Sequence, residues 1–143
     1  MNMALLKDSF DMIAPHKDAF ALSCYQQLFT DYPQAQPLFA QTNMRRQEGA
    51  LMATLATVIA GAQRGDNLIP TLQPLGQRHK GYEVKAEHYL MLRAVLLETF
   101  HHYLGPRFTP QMQEAWEEAF EMISAEMLKG ADMHPSQEAG GSW

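Results

Sequence analysis

The sequence predicts an all-α domain, and three observations carry that expectation. No run alternates apolar and polar residues over strand length, and no Asn-Gly or Asp-Gly hairpin turn occurs. Apolar residues recur instead at helical spacing through most of the chain. The eight prolines and nine glycines fall mostly between these periodic stretches, where they act as punctuation.

The first helix is expected over about Asn2 to Ala14, stopped by Pro15. A second runs from about His16 to Tyr32, with Leu22, Tyr25, Leu28, Phe29 and Tyr32 along one side. Pro33 opens a short helical segment ending near Leu38-Phe39. Thr42 or Asn43 can cap the next helix, whose inward stripe is Gln47, Leu51, Thr54 and Val58. After Gly65 comes an irregular helical stretch, broken by Pro70 and Pro74, with Leu68, Leu72, Leu75 and His79 inward. A long helix from about Lys85 to Leu104 carries Tyr89, Leu92, Leu96, Phe100 and Tyr103, and Gly105-Pro106 ends it. The last helix starts at Thr109-Pro110 and has the cleanest stripe: Met112, Trp116, Ala119, Ile123 and Met127. From about Gly130 to Trp143 the sequence reads as a loose polar tail.

Composition narrows the function. A chain of 143 residues, 46% apolar, suits one domain, and at this size folding buries roughly 68–70% of the unfolded surface. The single cysteine, Cys24, allows neither an internal disulfide nor a Cys-rich zinc site. A net charge of −5, with no basic run longer than Arg45-Arg46, argues against nucleic acid as a partner. The most apolar stretch, Gly49 to Gln63, is shorter than the ~20 residues that span a bilayer, so no membrane association is expected. Lys7 and Asp8 follow only a brief apolar run, which does not read as a signal peptide. A cytoplasmic protein is expected.

Polar groups set into apolar stripes are the informative candidates. Three stand out, on three different helices: Tyr25, Gln47 and His79. His79 closes a stripe of leucines, where a neutral imidazole would suit axial ligation of haem iron; a helix-end histidine capping carbonyls is the plainer alternative. Gln47 could donate to a ligand held under its helix, with Leu51 pressing one turn on, or could be an exposed first-turn glutamine. A buried Tyr25 hydroxyl needs a partner, whether backbone carbonyl or substrate. Phe39 could wedge a flat cofactor or simply fill core. His16, His88, His101, His102 and His134 suit surface or capping roles, and Trp116 suits the core.

Taken together, five segments resemble the globin family, in particular bacterial single-domain globins related to the haem domain of flavohaemoglobins. They are Cys24-Tyr25-Gln26-Gln27-Leu28-Phe29 with Pro33 and Leu38-Phe39; Gln47 with Leu51; Leu68-Ile69-Pro70-Thr71-Leu72; Leu75-Gly76-Gln77-Arg78-His79-Lys80; and Ala115-Trp116. The resemblance implies a globin fold of six to eight helices around a haem pocket, over residues 1–130, with residues 131–143 as a flexible C-terminal tail. It implies haem b (iron protoporphyrin IX) as cofactor, His79 as the metal ligand, and Phe39, Leu51, Leu75, Val84, Tyr89 and Leu92 around the macrocycle. Tyr25 and Gln47 match the distal pair that hydrogen-bonds bound O2. Two departures accompany it. The glutamate that, with a tyrosine matched by Tyr89, polarises the proximal histidine falls on Ala131, and 143 residues leave no room for reductase domains.

The function this resemblance implies is reversible, high-affinity O2 binding. Two hydrogen bonds to a partly charged ligand, ~1.5–3 kcal/mol each, would slow O2 loss by roughly 10²–10⁴-fold, and CO would gain less. Tightly held O2 suits reaction with NO to give nitrate, with electrons from an external reductase. A non-enzymatic O2 store or a haem-based redox or gas sensor is the nearest alternative; a haem-free helical interaction module is a more distant one.

Overall fold

Helix boundaries follow the capping and breaking residues. In a computed structural model of the chain, which describes residues 2–65, 70, 72–75 and 85–133, Asn2 accepts the Leu5 amide at 3.2 Å. That cap opens α1, Met3–Ile13. Pro15, with no N–H to donate, sits in a 3-10 turn over Ala14–His16 that leads into α2, Lys17–Asp31. Tyr32 leaves the helical region before Pro33, as a residue preceding proline should, and a 3-10 run covers Pro33–Phe39. Of the two predicted caps for α3, Met44–Gln63, Asn43 is the one that works, accepting the Arg46 amide at 3.2 Å. Its far end turns at Gly65, whose φ of 76° favours glycine. Residues 72–75 are helical. Helix α4, Ala86–Leu104, closes at Gly105, again with positive φ, and Thr109 caps α5, Pro110–Met133, through the Met112 amide. Among the described residues every regular element is helical.

The apolar stripes decide the packing. Helix α2 lies against α3 and α4, while α1 crosses α5 and α3. At the main core, the Phe100 ring stacks on Phe108 with centroids 4.9 Å apart and meets Phe20 edge-on at 4.9 Å. Trp116 is fully buried beside them, and its Nε1–H donates to Ser9 Oγ at 2.7 Å, tying α5 to α1. A second cluster gathers Val58 of α3, Leu72 and Leu75, Tyr89 of α4, and Ile123 and Met127 of α5.

Two sequence expectations need correction. Leu22, assigned to the inward side of α2, is 45% exposed; the buried residues there are Phe20, Ala21, Cys24, Tyr25 and Leu28. Only Leu22 departs from the expected stripe: Tyr25 and Leu28 are buried and Phe29 and Tyr32 pack against the same core, because the inward face runs along Ala21, Cys24, Tyr25 and Leu28 at i, i+3, i+4 and i+7. Helix α5 also does not stop near Gly130: it takes in Gly130 and Ala131 and ends at Met133. Leu68, His79, Val84 and residues 134–143 lie outside the described residues.

Candidate functional site: a hydrogen-bonded tyrosine and glutamine beside an apolar cleft

Tyr25 and Gln47 come from helices that the sequence separates by a proline-led turn, and packing of α2 on α3 brings them together. Gln47 Nε2 donates to Tyr25 Oη at 3.0 Å. Both side chains are buried, with Tyr25 1% and Gln47 3% exposed. Gln47 therefore occupies the inward stripe of α3 rather than an exposed first turn, and Leu51, one turn on, is buried in the same core. Burial pushes the Tyr25 phenol far above its ordinary range, against the downward pull of the Gln47 bond, so the hydroxyl keeps its proton.

Tyr25 lines an apolar cleft with Leu28, Ala35, Leu38, Phe39, His88 and Leu92. Phe39 sits where the 3-10 run ends, its ring edge-on to Tyr25 at 5.6 Å and to Phe29 at 5.5 Å. Tyr25 and Phe39 form one wall, with Phe29 packed against both rings. Leu92 of α4 contributes another, and His88 reaches the cleft from one turn earlier on the same helix. His88 Nδ1 accepts the Lys85 amide at 2.9 Å, the capping role its position suggested. That bond needs the Nδ1 lone pair and leaves the ring proton on Nε2. The place of His88 on the cleft escaped the sequence reading, although its i, i+4 spacing to Leu92 was a usable signal.

The remaining predicted residues divide. Leu75 and Tyr89 are buried together in the second cluster and are not among the residues that line the Tyr25 cleft. Burial raises the Tyr89 phenol as well. Leu92, three residues after Tyr89 on α4, belongs to the main core, so α4 carries side chains into both clusters. His79 and Val84 lie outside the described residues. Cys24, beside Tyr25, is fully buried, and burial pushes its thiol up to about 12 despite a hydrogen bond with Thr99. Among the described residues no helix is long and apolar enough to cross a membrane.

Comparison with known proteins agrees with this architecture. The flavohemoprotein of Bacillus subtilis is 27% identical over 97% of this chain and 36% of its own length. That of Xylella fastidiosa (strain Temecula1) is 33% identical over 89% of this chain and 32% of its length. The chain thus spans about a third of the length of these relatives. An uncharacterized globin-like protein of Aquifex aeolicus is 26% identical, with 87% of each chain covered. Among solved structures, an engineered carbene transferase derived from a Rhodothermus marinus protein, RmaNOD, superposes with a TM-score of 0.72. It is 22% identical, and the match covers 92% of this chain and 91% of the other. The family described as Globin matches residues 22–127. With that match and a helical fold shared over nearly its whole length, the chain belongs to the globin family.

Proposed function

We propose that the chain binds haem b and acts as a high-affinity O2-binding globin that supports nitric-oxide dioxygenation, the conversion of NO and O2 to nitrate. One observation carries this: a buried tyrosine–glutamine hydrogen bond beside an apolar cleft. Globin membership and the flavohemoprotein relatives support the cofactor, and the Rhodothermus marinus neighbour was itself put forward as a nitric oxide dioxygenase.

The cleft lining, apolar and aromatic apart from the Tyr25 hydroxyl and His88, fits one wall of a haem pocket, and Gln47 is hydrogen-bonded to that hydroxyl. His79 would hold the iron, and Phe39, Leu51, Leu75, Val84, Tyr89 and Leu92 would wall the macrocycle. When bound, haem supplies an iron centre to which O2, NO and CO attach reversibly. The chain's own part is to tune that centre. Gln47 donates to Tyr25 Oη, so the tyrosine accepts from Gln47 and its own proton is not spent on that bond. A hydroxyl that accepts is also a better donor. Because burial keeps the phenol protonated, Tyr25 is a donor across the physiological range. Donors fixed in an apolar cleft favour a diatomic ligand that gathers negative charge, and the surrounding rings keep water from competing. Reducing equivalents would come from a reductase outside residues 1–143, and the bacterial cytoplasm is the setting we infer.

The test has two stages. The purified protein should show a strong Soret band that His79→Ala weakens. Mixing its oxygenated form with NO should then give one nitrate per haem. A colourless protein that takes up no haem overturns the cofactor assignment. A haem protein that yields no nitrate overturns the dioxygenase step and leaves O2 storage or sensing, which the same donor pair would serve.

A further inference from the structure

Gly130 is buried inside α5, three residues before the helix ends at Met133. Glycine in a helix interior is less favourable than alanine, so its presence there calls for a steric reason. The structure supplies one. A Cβ built on Gly130 would collide with the Gln73 carbonyl and lie 2.5 Å from the Gln73 Cα. One turn earlier on α5, Glu126 Oε2 accepts a hydrogen bond from Gln73 Nε2 at 3.2 Å. The Glu126 side chain is largely buried, and its other oxygen meets Lys129 Nζ at 3.3 Å. Helix α5 therefore holds Gln73 twice, by its backbone against Gly130 and by its side chain on Glu126. The flanking Leu72 and Leu75 are buried in the second cluster against Tyr89, Ile123 and Met127.

We propose that Gln73, Glu126 and Gly130 form a clamp that fixes residues 72–75 on α5 and thereby sets how firmly haem is held, through Leu75, a residue assigned to the wall of the macrocycle. This rests on the haem reading given above. The three are positioning residues, acting through Leu75. The two contacts are independent in kind, one steric and one polar, and they converge on a single residue, Gln73.

The test compares holoprotein of the parent with Gly130→Ala, Glu126→Leu and Glu126→Gln. Haem transfer to excess apomyoglobin reads how firmly the cofactor is held. The iron–histidine stretching band of the deoxy ferrous form, by resonance Raman, reads how the imidazole meets the metal. Gly130→Ala should lose haem about tenfold faster and shift that band, because added volume against backbone cannot be absorbed by a rotamer change. Glu126→Leu should lose haem severalfold faster, while Glu126→Gln, which keeps an acceptor oxygen, should stay within about twofold of the parent. A folded Gly130→Ala with parental haem loss and an unmoved band overturns the clamp. Should Gly130→Ala fail to fold, the Glu126 pair decides, and equal haem loss in Glu126→Leu and Glu126→Gln overturns it. A parent that takes up no haem overturns the functional reading and the clamp's role together, whereas a haem-binding parent with indifferent variants overturns the clamp alone.

Discussion

Gln47 Nε2 donates to Tyr25 Oη at 3.0 Å, joining α3 to α2 inside the protein. The direction of this bond matters more than its length. The glutamine serves the tyrosine, and the tyrosine, held protonated by burial, keeps a donor's chemistry at the cleft wall.

Tyr25→Phe removes the hydroxyl and keeps the ring that packs on Phe39. If Tyr25 donates to bound O2, O2 dissociation measured by stopped flow should quicken by roughly 10–100-fold, the loss of one hydrogen bond to a charged acceptor. CO dissociation should change far less. An O2 dissociation rate within twofold of the parent would show the donor assigned to the wrong residue.

The pair should also be coupled in stability. Urea denaturation of the parent, Tyr25→Phe, Gln47→Leu and the double variant, all in one ligation state, gives a double-mutant cycle. An interaction of about 0.5–1.5 kcal/mol is expected for a buried neutral hydrogen bond. Strict additivity would mean that the 3.0 Å contact contributes nothing to the folded state.

Cys24 should make stability fall at alkaline pH. Its thiol, ordinarily near 9.0, is raised by burial to about 12, so above pH 9 the unfolded chain gives up a proton that the folded chain retains. The unfolded state then binds fewer protons, and the sign follows: this contribution is intact below pH 9 and is lost progressively between pH 9 and 12. Tyr25 and Tyr89, raised for the same reason, act in the same direction from higher pH. Unfolding free energy against pH should be steeper for the parent than for Cys24→Ala, by up to about 1.4 kcal/mol per pH unit. Parallel curves would count against a buried, protonated thiol.

Ser9→Ala should cost about 1–3 kcal/mol, measured by denaturant midpoint at unchanged slope. The buried Trp116 Nε1–H loses its 2.7 Å acceptor, and burial leaves it no ready substitute in solvent. Trp116 fluorescence should shift with it. A loss below about 0.5 kcal/mol would mean that another group accepts from the indole.

Much of the fold was legible residue by residue. Asn43 and Thr109 cap the helices they precede, Pro15 and Pro33 interrupt where they stand, and the Met112–Met127 stripe is buried throughout. The site was legible only in part. Tyr25, Gln47 and Phe39 stood out as misfits or wedges in apolar stripes, but nothing in the sequence joined Gln47 to Tyr25 or brought His88 to the cleft. Gly130 shows the difficulty most plainly. On paper a glycine after a helical stripe is a stop, yet here it lies within α5 to admit the backbone of Gln73.

The sequence by itself determined where helices begin, most of the residues that turn inward and which polar groups interrupt them. Those properties depend on interactions within about four residues, and the helical period repeats them regularly. Tertiary structure decided that Tyr25 accepts from Gln47, that Leu22 faces out and that Gly130 continues a helix. Each depends on where one helix crosses another. That crossing is set by the combined shape of side chains far apart in the chain, and no local pattern encodes it.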